Sequence, residues 1–121
     1  MVNLPWKRTE LLYYLDILAS VEKQKRIWID HIFPEGVVYD CLDFAIHFLF
    51  DDTALADDPE VTIGDILVNM DEANAIREVI DAFKVVFAQH GTQKTDQEYL
   101  SSVEWHEVVR AAKAAFQILS K

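Results

Sequence analysis

Apolar side chains return every three or four residues along most of this chain, and little interrupts them. The clearest run is Ala75, Ile76, Val79, Ile80, Phe83, Val86 and Phe87. A half-buried strand would need alternation with a period of two, whereas this spacing lines one side of a helix. A β-sandwich of similar length also needs frequent turn residues, and the chain has only three Gly and three Pro. The pattern predicts an all-α fold: one domain over residues 1–121, built as an irregular bundle of five or six helices.

The first helix is predicted from Pro5 to Ala19, with Pro at the first helical position and Leu11, Leu12, Leu15, Leu18 and Ala19 inward. Ser20 caps a second through His31, turning Ile27 and Trp28 inward, and Pro34 and Gly36 stop it. A third spans Val37 to Phe50. It is apolar over most of its circumference, so it is expected at the centre of the domain. Asp51 to Glu60 reads as an acidic loop, and Val61 to Val68 as a short strand or a helical turn around Gly64. Asp71 is the expected cap of a fourth helix through His90, closed by Gly91. A helical turn over Thr95 to Leu100 precedes a last helix capped by Ser102 and running to Leu119, in which Ala111, Ala114 and Ala115 permit close approach of a neighbour. The expected core includes Leu15, Leu42, Ile46, Leu49, Ile80, Phe83, Val109 and Phe116.

Charge is distributed unevenly. From Ile27 to Ile76 there is no Lys or Arg, yet the segment holds twelve of the 21 acids; the flanks are nearly neutral, and the net charge is −10. Nucleic acid is a poor partner for such a chain, because phosphate contacts need Lys and Arg. A basic protein surface is a better one. The lone Cys41 excludes an internal disulfide and suits a reducing compartment. The amino terminus lacks a signal pattern, and no apolar run reaches the roughly 20 residues of a membrane span. The expectation is a complete, cytoplasmic chain with no membrane partner.

Several constellations invite chemistry, each with a plainer structural reading beside it. Asp40, Asp43, His47 and Asp51 are spaced by three, four and four, which on a helix makes one polar stripe. Such a stripe suits a metal, but it equally suits the solvated edge of a buried helix, and no H-E-x-x-H pattern supports a metal. The stripe is also the sole basis for an enzyme reading. His31, His90 and His106 are scattered and read as surface or helix-end residues. Cys41, expected mid-helix without a basic neighbour, reads as an inert thiol. Ser20, Ser101, Ser102 and Thr95 lie where caps are needed. No phosphate-binding glycine loop is present, since Gly36, Gly64 and Gly91 stand alone, and the acidic run lacks the calcium-loop pattern. Neither a catalytic group, a metal ligand nor a cofactor is assigned. The candidate partner-binding residues are Tyr39, Asp40, Asp43, Asp51, Asp52, Asp57, Asp58 and Glu60: carboxylates to attract a cationic partner, and an aromatic ring to anchor it. The last five are expected to be exposed and close to Asp40 or Asp43.

The segments Pro5-Trp6-Lys7-Arg8-x-Glu10-Leu11-Leu12, Tyr39-Asp40-x-Leu42-Asp43 and Leu49-Phe50-Asp51-Asp52-Thr53 with Asp58-Pro59 resemble a family of small uncharacterised bacterial proteins. That resemblance spans most of the chain and brings no activity with it. In size, acidity and helical pattern the chain is also similar to immunity proteins of bacterial toxin systems, including contact-dependent inhibition. This second likeness implies a non-enzymatic protein that neutralises a basic toxin domain, such as a nuclease. A structural or regulatory interaction module is the alternative, since an acidic surface also serves solubility.

Overall fold

The computed structural model describes residues 1–121; 65% of them are helical and none forms a strand. Helix α1 (Pro5–Leu18) begins at Pro5, as the sequence predicts. Its last turn is closed by a buried side chain: Gln24 Nε2 donates to the carbonyls of Ile17 and Leu18 at 3.1 and 2.9 Å. The same amide's oxygen accepts from the indole N–H of Trp105 at 3.0 Å, so a fully buried polar group has its partners.

Helix α2 (Val21–Gln24) is capped by Ser20, whose oxygen accepts from the Lys23 N–H, and it widens into a π turn, Lys25–Ile29. Ile27 and Trp28 face inward as expected. The helix ends two residues before the predicted His31. The stop is His31 itself, which adopts φ +59°, and the Ile32 N–H folds back onto the Arg26 carbonyl. Pro34 and Gly36 act only afterwards, keeping the segment that follows irregular.

Helix α3 (Leu42–His47) continues into a second π turn, Phe48–Asp52. It starts five residues later than its periodicity predicts. Cys41 is extended, at φ −157° and ψ 166°, and stands at the cap position rather than mid-helix. The Leu42 N–H is taken by Asp96 Oδ2 at 3.1 Å, from 54 positions away. Val38, expected on an apolar helix, is 94% exposed.

A 3-10 turn, Pro59–Thr62, follows the acidic loop. Beyond it residues 63–67 form neither strand nor helix but a tight turn around Gly64, closed by Gly64 N–H to the Leu67 carbonyl at 2.7 Å and a single bridge between Ile63 and Leu67. Gly64, at φ +98°, supplies the left-handed backbone this turn requires. The chain's start is pinned there through Asn3 and Leu4, which donate to the carbonyls of Gly64 and Asp65.

Helix α4 (Met70–His90) is capped by Asn69, not Asp71: its oxygen accepts from the Glu72 N–H. Gly91 ends it, as predicted. Helix α5 (Asp96–Leu100) carries a reciprocal cap between Thr95 and Glu98. Helix α6 (Trp105–Leu119) begins three residues after the predicted cap, because the Ser102 hydroxyl instead donates to the Tyr99 carbonyl at 2.8 Å.

The centre of the domain is α6, which packs on both α1 and α4. The short α3, expected there, leaves Phe44 45% exposed. Ala111, Ala112 and Ala115 are buried on α6, and their small size permits the two-sided packing. Leu15, Leu42, Leu49, Ile80 and Phe83 are buried as predicted, while Ile46, Val109 and Phe116 are partly buried against the same core. Each fully buried side chain of this size contributes about 1.5–3 kcal/mol.

Candidate functional site

The acids of the central segment divide by environment. Asp40 and Glu72 are buried, Asp65 is half-buried, and the other nine are exposed. Asp40 departs from the expectation of a surface carboxylate. Only 2% of it is exposed; Oδ2 accepts from the Tyr13 hydroxyl at 2.9 Å and Oδ1 from the Cys41 N–H at 2.8 Å. It fastens the segment before α3 to α1 and is closed off from solvent. Burial, and then the bond to Asp40, push the Tyr13 hydroxyl's pKa well above its ordinary value.

Tyr39 and Asp43, by contrast, are exposed, and Tyr39 belongs to a row of rings. His31, Phe33, Tyr39 and Phe44 meet at centroid separations of 5.5 to 5.9 Å, mostly edge to face. Tyr39 and Phe44 keep about half their surface in solvent, and Ile32 and Val38 are still more exposed. The left-handed turn at His31, then Pro34 and Gly36, hold residues 31–41 out of a helix, so these side chains gather on an irregular segment.

Asp43 stands between two grooves. One, of about 450 Å³, runs from Tyr39 and His31 to Asp96 and Lys94. The other, also about 450 Å³, includes His47, Asp51, Phe87 and Tyr99. Asp51 thus shares a groove with Asp43, as predicted, and its Oδ2 lies 2.5 Å from His47 Nδ1. Asp52 turns to a third cleft, of about 270 Å³, with Lys7 and Asp65. The buried Tyr14 hydroxyl is pushed up to about 12, first by burial and then by charges that include Asp40 and Asp52. Asp57 and Asp58 are exposed in the loop, where Asp58 caps the 3-10 turn. Glu60 is turned toward α4, 3.3 Å from Arg77 Nη2. No hydrogen bond or shared groove joins Asp57, Asp58 or Glu60 to Asp43.

The predicted stripe of Asp40, Asp43, His47 and Asp51 does not exist as a stripe, because Asp40 precedes the helix and points inward. The Cys41 thiol is pushed up chiefly by burial, and its neighbours Asp96 and Asp43 push it the same way, which keeps it protonated and unreactive. His90 instead joins Glu104 at 2.6 Å, tying the end of α4 to the start of α6.

Sequence reasoning missed Asp96. Burial raises its pKa, and Asp43 and Asp40 raise it further; the Leu42 N–H and His31 oppose them. Three carboxylates therefore crowd the start of α3, two from one segment and one from α5. The local pattern marks Asp96 only as a first-turn acid, and its partner lies far along the chain. The surface so assembled suits attraction of cations and stacking on exposed rings.

A profile of the family described as "Domain of unknown function (DUF7945)" matches residues 2–121. No curated protein and no solved structure matches the chain.

Proposed function

Since the chain belongs to a domain family of unknown function, DUF7945, we propose from its surface that it is an immunity-type protein, binding and neutralising a basic bacterial toxin domain, such as a nuclease. The observation that carries this reading is the exposure of nine carboxylates in a segment with no Lys or Arg, which also leaves about half of Tyr39 and Phe44 in solvent. A nuclease holds its substrate in a basic cleft, and an inhibitor that fills that cleft gains from negative charge. Long-range attraction then speeds encounter, while aromatic contacts slow dissociation. The binding set is Tyr39, Asp43, Asp51, Asp52, Asp57, Asp58 and Glu60; Asp40 is excluded by its burial.

The test is first whether the gene beside this one encodes a toxin domain, and then stopped-flow binding of the purified protein to that domain at two salt concentrations, with the toxin's activity followed in parallel. The expected result is inhibition, with association that slows as salt rises. Absence of binding to that domain would overturn the proposal.

A further inference from the structure

We infer that the groove between Tyr39, Asp43 and Asp96 receives an arginine side chain from the basic partner, its guanidinium held by the two carboxylates while its plane stacks on the Tyr39 ring. The inference rests on the reading of the protein as a binder of a basic partner, and it names the chemical group recognised.

Four observations support it. Tyr39, Asp43, Asp96 and His31 line one open groove of about 450 Å³, enough for a guanidinium and its alkyl stem. Tyr39 is 50% exposed yet braced by His31, Phe33 and Phe44, so a ring is presented to solvent with its orientation already set. Little ordering entropy then opposes binding. The carboxylates outnumber the ammonium groups: Lys94 also lines the groove, and its ammonium lies 3.9 Å from Glu98. Asp96 accepts the Leu42 N–H and feels His31 across the groove, in which it and Asp43 are the two carboxylates. Burial first, and then the charges of Asp43 and Asp40, raise the Asp96 pKa, and an incoming cation relieves the like-charge share of that cost. A planar guanidinium satisfies both the ring and the carboxylates; a lysine ammonium, more strongly hydrated and without a plane, does so less well.

The experiment is a titration of the isotopically labelled full chain with N-acetyl-argininamide and, separately, N-acetyl-lysinamide, followed by amide chemical shifts. The expected result is saturable change centred on residues 31–44 and 94–97, with argininamide about threefold or more the tighter. Tyr39→Leu, which keeps an apolar side chain against Phe33 and Phe44, and Asp43→Asn should each weaken it several-fold while leaving the rest of the spectrum unchanged. Shifts spread equally over Asp52, Asp57 and Asp58, or equal response to both amides, would overturn the inference and leave diffuse charge attraction. A parallel measurement with the neighbouring toxin domain separates the two proposals. Toxin binding untouched by Tyr39→Leu and Asp43→Asn overturns the arginine groove and removes these two residues from the binding set, while the immunity reading stands. Argininamide binding without toxin binding overturns the immunity reading alone.

Discussion

Arg8 grips Glu72 with two hydrogen bonds, of 2.8 and 2.9 Å, between positions 64 apart in the chain. The same guanidinium donates to the carbonyls of Ile66 and Leu119, and Glu72 Oε1 also accepts from the Val68 N–H. One cation on α1 therefore holds the turn before α4, the first turn of α4 and the end of α6. Arg8→Ala is expected to destabilise the protein by about 3–5 kcal/mol, because it leaves a buried carboxylate without its counter-charge. Urea unfolding at neutral pH measures this, and a loss under about 1 kcal/mol would contradict it.

Glu72 also makes stability depend on pH. Burial alone would raise its pKa, but the bonds from Arg8 and Val68 outweigh burial and lower it. A carboxylate whose folded pKa lies below its unfolded value stabilises the fold above the ordinary carboxylate range. That contribution is lost as pH falls through the lower, folded value. Wild type should lose stability on this acid limb, and Glu72→Gln should be less stable at neutral pH with a flatter acid limb.

The bond from Tyr13 to Asp40 separates an anchoring acid from a docking acid. Tyr13→Phe removes one of two donors to a buried carboxylate and should cost about 1–3 kcal/mol. Asp51→Asn with Asp52→Asn, both exposed, should change stability by no more than about 0.5 kcal/mol. The same pair should slow association with the toxin domain at low salt. Equal effects of the two changes on unfolding would remove the distinction.

Asp96 carries the opposite sign to Glu72. Its pKa is raised by burial and by Asp43 and Asp40, so its ionised form opposes folding, and its contribution becomes unfavourable as pH rises through the folded value. Asp96→Asn keeps an oxygen for the Leu42 N–H and sheds the repulsion. At neutral pH it should stabilise the fold by less than about 1 kcal/mol, since the group keeps part of its surface in solvent and is screened. The same variant should bind argininamide more weakly. A marked destabilisation would show that the charge itself is needed at the cap.

Much of this architecture is local and therefore legible along the chain. The helical class follows from apolar spacing. Ser20, Thr95 and Gly91 act where their chemistry predicts, because a cap needs only N–H or carbonyl groups within its own turn. The lack of Lys and Arg between Ile27 and Ile76 dictates an excess of negative charge wherever that segment lies. Tertiary structure decided what local pattern could not. Periodicity from Val37 to Phe50 is continuous, yet α3 begins at Leu42, because Tyr13 holds Asp40 and Asp96 caps the helix from α5. Likewise nothing around Glu72 marks it as buried; Arg8 makes it so. The environment of a carboxylate depends on the balance between losing water and gaining a partner. Here those partners lie 27, 54 and 64 residues away, beyond the reach of any pattern that repeats every three or four.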